Sequence, residues 1–197
     1  MIHQYLRGQM MTIATYKWTI DRYHQAIDSG IFDGQNLELL RGDLILMPPE
    51  GEPHVYFSDR TAQILRGLLL GQAQVRESRP VTLPNGSEPQ PDLAIVQPLD
   101  TVYLEHHPYP ENILWLVEYS YTTLKYDLGD KQIVYAQSEI PEYWVVNLQD
   151  LQLTVFRDPS PSGYRTVNNF QDGNISPLAF PSISIEVRRL FEVNRSS

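Results

Sequence analysis

Cysteine is absent from the 197-residue chain, which excludes disulfides and thiolate metal sites. Cationic residues are scarce: 15 Lys and Arg stand against 24 Asp and Glu, a formal net charge of −9. That deficit argues against a strong non-specific nucleic-acid binder, because phosphate neutralisation needs Lys and Arg. It leaves a nuclease open, since a metal ion supplies positive charge locally. No apolar run approaches the roughly 20 residues of a membrane-spanning helix, so no membrane partner is expected. The opening stretch MIHQYLRGQMMTIATYKW lacks the apolar segment of a secretory leader. It reads as an N-terminal arm over residues 1–15, followed by one domain over 16–197, with a cytoplasmic location expected. Internal repeats, a G-x-S-x-G elbow, an H-E-x-x-H pair, a P-loop and a Rossmann glycine fingerprint are also missing.

What is present alternates between helical and strand-like patterns. WTIDRYHQAIDSG (18–30) predicts a helix with Thr19 as N-cap and Gly30 as stop. NLELLRGDLILMPP (36–49) reads as a hairpin around Arg41-Gly42-Asp43. PHVYFSDRTAQILRGLLLGQ (53–72) predicts a second helix, with Val55, Ala62, Leu65 and Leu69 on its apolar stripe. AQVRESRPVTLP (73–84) and PDLAIV (91–96) read as strands separated by an NGSEPQ loop. A proline-rich surface loop with His106-His107 spans 98–112, and ILWLVEYS (113–120) follows as a central strand. A third helix is expected over 122–140. Strands are expected at 142–148, 151–157 and 162–169, then an edge strand and a final helical turn in the tail. The order predicts a mixed α/β fold, one central sheet with helices packed on it.

ILWLVEYS poses the chemical question. Five apolar residues suit a strand covered on both faces, yet Glu118 follows them directly. A buried, unpaired carboxylate costs several kcal/mol, against a total stability of about 5–15 kcal/mol. Alternation puts Glu118 on one face with Leu116 and Ser120, and Asp92 on one face with Ala94 and Val96. If the two strands are neighbours, Asp92 and Glu118 converge, and a divalent cation resolves their repulsion. Leu124, Leu128, Lys131 and Tyr135 fall on one helical stripe, so Lys131 is expected to face the sheet; the strand carrying Glu118 leads directly into this helix, an adjacency that allows the two to meet without the spacing requiring it. Plainer readings stand beside each of these. Taken alone, Asp92 reads first as a turn residue and His54 first as a solvated cap-region histidine, while Glu38 reads equally as a solvated hairpin position. Glu118 reads as a salt-bridged strand end, and Lys131 as a snorkelling side chain or the i,i+4 partner of Asp127.

The run VEYSYTTLKYDLGDKQIVYAQSEIPEYWVVNL (117–148) resembles the Uma-type restriction endonuclease family, within the PD-(D/E)XK nuclease superfamily. The LELLRGDLIL hairpin, the Pro-Pro segment before His54 and the Pro-Asp strand fit the same pattern. The resemblance implies a restriction-endonuclease-like fold, a central mixed β-sheet flanked by helices. It implies Asp92 and Glu118 as metal-binding carboxylates, Lys131 as the catalytic lysine displaced onto the following helix, and Glu38 as a further acidic catalytic residue. His54, Ser120 and Asp127 match polar positions that support them. Glu139 departs from the pattern, standing where the family has glycine.

The expected activity is hydrolysis of nucleic-acid phosphodiesters, DNA being favoured, by an endonuclease using Mg²⁺ or Mn²⁺. One alternative is a nuclease-fold module that binds nucleic acid or protein without turnover. Another is a two-carboxylate glycosidase, in which Lys131 has no part. A homodimer is expected from exposed strand edges and from Tyr143 and Trp144, read as surface aromatics.

Overall fold

The computed structural model describes residues 14–193. The expected N-terminal arm therefore lies, apart from residues 14 and 15, outside the described residues. Helix α1 (Ile20–Asp28) starts where predicted: Thr19 is extended and its Oγ1 accepts the Arg22 N–H at 3.3 Å. Such a cap satisfies one of the donors that a helix start leaves without a partner. The buried Tyr23 hydroxyl donates to the Leu37 carbonyl at 2.8 Å, tying α1 to the hairpin. That hairpin pairs β1 (Leu37–Leu40) with β2 (Asp43–Leu46). Its turn places Arg41 at φ 49° and Gly42 at φ 76°, the successive positive values that suit strand twist. A Cβ on Gly42 would stand 2.8 Å from the Lys17 Cβ, so that position needs glycine twice over.

The main sheet has six strands in the order β3 (Gln74–Glu77), β4 (Leu93–Val96), β5 (Ile113–Ser120), β6 (Glu142–Asn147), β7 (Gln152–Ser160) and β8 (Gly163–Phe170). Every neighbouring pair is antiparallel except β5 and β6, which run parallel. A parallel pair requires a crossover, and residues 121–141 provide it. Side chains alternate across the sheet and build two cores. Trp115, Val117 and Tyr119 pack with Ala62 and Leu65 of α2 (Glu52–Leu68), with Leu69 at its C-cap and with the C-terminal segment. On the other face, Ala94, Val96, Leu116 and Val145 pack with Val134, Tyr135 and Ala136. Cover on both faces is why β5 and β6 read as continuous apolar runs. Among the described residues no helix is long and apolar enough to cross a membrane.

Several expectations need correction. The third helix is broken into α3 (Leu124–Tyr126), a π-helical turn (Asp127–Lys131) and α4 (Gln132–Gln137). Val55 lies off the buried stripe and is 48% exposed, since the buried residues of α2 begin only at Thr61. The NGSEPQ loop is in fact a buried strap over Ser87, Glu88 and Pro89, with Glu88 N–H donating to the Leu39 carbonyl at 2.7 Å. The strand expected over 73–84 shrinks to β3. The tail forms a separate ribbon of β9 (Asn174–Ile175) and β10 (Ile185–Glu186), not an edge of the main sheet. His106 and His107 are half-buried, and the His106 ring stacks on Tyr109. Tyr143 and Trp144 are core residues, since β6 is an inner strand, so the homodimer expectation loses the aromatic surface that motivated it.

Candidate active site

The end of β5, the entry to β4, the first turn of α2, hairpin strand β1 and the π turn surround a cavity of about 310 Å³. Glu38, His54, Asp92, Glu118, Asp127 and Lys131 all line it. The neighbour relation of β4 and β5, with Leu93 opposite Val117, brings Asp92 to the end of the Glu118 strand. Asp92 Oδ2 accepts the Tyr119 N–H at 2.6 Å, and Asp92 N–H reaches Glu118 Oε2 at 3.4 Å. Asp92 Oδ1 lies 2.9 Å from His54 Nε2.

Lys131 is the centre of the charge arrangement. It is 1% exposed; its Nζ donates to Glu38 Oε1 at 3.1 Å and forms an ion pair with Glu118 Oε1 at 2.8 Å. Glu118 Oε1 also accepts the Tyr135 hydroxyl at 2.9 Å, and Glu38 Oε1 accepts the Gln90 N–H at 2.9 Å. Asp127 does not pair with Lys131. Its Oδ2 accepts the hydroxyls of Ser120 at 2.6 Å and Thr123 at 2.7 Å. Ser120 is fully buried and holds Asp127 from behind the cavity. The π turn is the local device that leaves both Asp127 and Lys131 buried at its two ends; π turns inserted in helices recur at functional sites.

The electrostatics follow from crowding. Burial lowers the Lys131 pKa, but Glu118 and Glu38 raise it further, and the ammonium is held well above its usual range. Burial pushes the Glu118 carboxyl well above its ordinary 4.5; Lys131 opposes that push, while Asp92, Asp127 and Glu38 add to it. Burial likewise raises Asp127, against the pull of Lys131 and its two hydroxyl donors. His54 is depressed by burial but raised more by its hydrogen bond to, and the charge of, Asp92. Five carboxylates, those of Glu38, Glu50, Asp92, Glu118 and Asp127, thus line one cavity with one lysine and one histidine. A divalent cation suits that excess of negative charge. The fit is supported by Glu38 Oε2, a buried oxygen with no hydrogen-bond partner among the described residues. It is also supported by ligand atoms of Glu50, His54 and Asp92, which lie within 4.8 Å of one another.

Sequence reasoning passed over two of these residues. Glu50 sits four positions before His54, one helical turn away, which was the available signal. Tyr135 was placed on the Lys131 stripe, but its hydroxyl contact with Glu118 was not foreseen.

A mixed sheet with helices on both faces, carrying acidic residues and a lysine around one cavity, defines a protein of restriction-endonuclease-like fold. The Uma2 family model, described as "Putative restriction endonuclease", matches residues 20–188, and the chain belongs to that family. A solved structure from Anabaena variabilis ATCC 29413, described as a "putative nuclease belonging to DUF820", shares the fold with a TM-score of 0.65 at 13% identity. The match covers 80% of this chain and 90% of that one. No curated protein matches the sequence.

Proposed function

We propose that the chain is a metal-dependent endonuclease hydrolysing phosphodiester bonds, with DNA as the favoured substrate. The observation that carries this reading is Lys131, buried between Glu38 and Glu118 and facing the same cavity as Asp92. Family membership supports it. Asp92 and Glu118 would hold Mg²⁺ or Mn²⁺. Such an ion supplies Lewis-acid polarisation of a phosphoryl oxygen and lowers the pKa of a bound water.

The protein's own groups do the positioning. Tyr119 N–H fixes the Asp92 carboxylate, and Tyr135 and Lys131 fix Glu118 Oε1. Among the described residues this leaves Glu118 Oε2 with only the long contact from Asp92 N–H. An ammonium has three donors; Lys131 commits one to Glu38 and pairs by charge with Glu118. A remaining donor serves to orient an attacking water or to meet charge developing on a phosphoryl oxygen. Glu38, whose Oε2 has no partner among the described residues, would accept from a water at the same place.

The test is cleavage of plasmid and oligonucleotide DNA with Mg²⁺ or Mn²⁺. Loss of cleavage in Glu118→Ala and Lys131→Ala, with circular dichroism showing retained fold, supports the assignment. Unchanged cleavage in both refutes it. The net charge of −9 favours a second reading, a binding module without turnover. Nucleic acid bound without calorimetric uptake of divalent metal selects that one. The glycosidase reading has no support here, because Lys131, Asp92 and Glu118 line one cavity.

A further inference from the structure

Asp92 presents its two oxygens to different partners. Oδ2 is taken by the Tyr119 N–H, on the side of β5. Oδ1 faces α2, where His54 Nε2 stands 2.9 Å away and Glu50 Oε2 stands 4.0 Å from the same nitrogen. The three ligand atoms fall within 4.8 Å of one another. Two ligands on opposite sides of an ion at about 2.1 Å stand about 4.2 Å apart, so a small closing movement of Glu50 suffices. Glu50 can make that movement, since its side chain is 39% exposed ahead of α2. His54 and Asp92 are held more firmly, at 13% and 9% exposure. The wider lining of the cavity is short of donors as well. The same cavity is lined by Glu38, whose buried Oε2 has no partner among the described residues.

We propose that Glu50, His54 and Asp92 form a mixed nitrogen–oxygen cation site that makes this protein select Mn²⁺ and Co²⁺ over Mg²⁺. This inference rests on the metal dependence proposed above and adds an imidazole to the all-oxygen set of Asp92 and Glu118. The chemistry of the donor decides the preference. Mg²⁺ takes oxygen ligands and keeps much of its water. Imidazole adds affinity for first-row transition ions, least for Mn²⁺ and more for Co²⁺, so the preference over Mg²⁺ is expected to be the larger for Co²⁺. The ion takes the place of the proton shared between His54 Nε2 and Asp92 Oδ1.

The experiment uses the full chain stripped of metal. Mn²⁺ is added and pulsed electron paramagnetic resonance is recorded. Nitrogen hyperfine coupling from a directly bound imidazole is expected in the wild type, kept in His24→Gln and lost in His54→Gln. Calorimetry with Mn²⁺, Co²⁺ and Mg²⁺ accompanies it. His54→Gln is expected to weaken Mn²⁺ and Co²⁺ roughly tenfold or more while changing Mg²⁺ little. Bound Mn²⁺ without nitrogen coupling in the wild type overturns the inference and needs no variant to fold. That result leaves the nuclease reading intact where Glu118→Gln abolishes binding and cleavage. Absence of any bound ion overturns both.

Discussion

Replacing Lys131 with methionine tests the charge arrangement directly. Methionine keeps an unbranched apolar stem, so the loss is mainly the ammonium. Lys131 is 1% exposed and contacts Glu118 at 2.8 Å and Glu38 at 3.1 Å. Breaking a buried pair by removing one partner costs about 3–5 kcal/mol, because a buried charge is left uncompensated. At this chain length each kcal/mol moves the melting temperature by about 2–4 °C. Lys131→Met is therefore expected to melt roughly 6–20 °C lower in metal-free neutral buffer. Thermal unfolding followed by circular dichroism reads this out.

The loss also has a pH signature. In the wild type Lys131 is what holds the Glu118 pKa down against burial and three other carboxylates. Without it the folded-state value rises further above the ordinary 4.5. Between those two values the folded protein binds more protons than the unfolded chain, so stability falls as pH rises. The deficit of Lys131→Met should thus be smallest in acid, below the unfolded value, and grow as pH rises through the folded one. Adding Glu118→Gln removes one orphaned charge and should recover part of the loss, with a coupling of about 0.5–3 kcal/mol. A melting temperature within about 2 °C of wild type, or a deficit that grows toward acid, refutes the reasoning.

Two further variants test the surroundings. Glu139→Gly should stabilise the protein by about 0.5–1 kcal/mol in urea unfolding, since Glu139 is exposed at φ 60° and a left-handed non-glycine residue costs about 1–2 kcal/mol; the flexibility of glycine offsets part of that, and a destabilised variant counts against it. Tyr135→Phe removes a buried 2.9 Å donor to Glu118 and should cost about 1.5–3 kcal/mol in the same assay, whereas no loss would mean that the contact contributes nothing.

Legibility in the sequence followed periodicity. The period of two in ILWLVEYS placed Glu118 with Leu116 and against Trp115, and the two cores divide along that line. The helical stripe brought Lys131 to the sheet, where it meets Glu118. Features that depend on tertiary contact were not legible. The hairpin pattern LELLRGDLIL allowed Glu38 to face water; the strap at residues 87–90 buries it by pairing with β1 and donating the Gln90 N–H. The π turn leaves no mark in a 3.6-residue pattern. Tyr143 and Trp144 looked like surface because strand order, which makes β6 an inner strand, is not encoded in a local pattern.

Burial alone did not mark Glu118 as a site residue, and β6 supplies the control. Glu142 is fully buried in the neighbouring strand, one position along from the Pro-Glu-Tyr-Trp start. Its Oε1 accepts Arg157 Nε at 2.9 Å, Arg157 Nη2 at 2.6 Å and Trp144 Nε1 at 2.8 Å, and its Oε2 accepts the Leu178 N–H at 2.6 Å. A fork of guanidinium donors and a backbone amide satisfy it completely, as a structural carboxylate requires. It lines no part of the cavity. Glu118 has the opposite company: one lysine shared with Glu38, and Asp92 and Asp127 close enough to raise its pKa. A fold that needed only an anchored carboxylate at that strand end had the Glu142 arrangement available. Crowding acidic groups around a single ammonium costs stability unless a cation or a substrate offsets it, and that cost is the physical argument for chemistry at the end of β5.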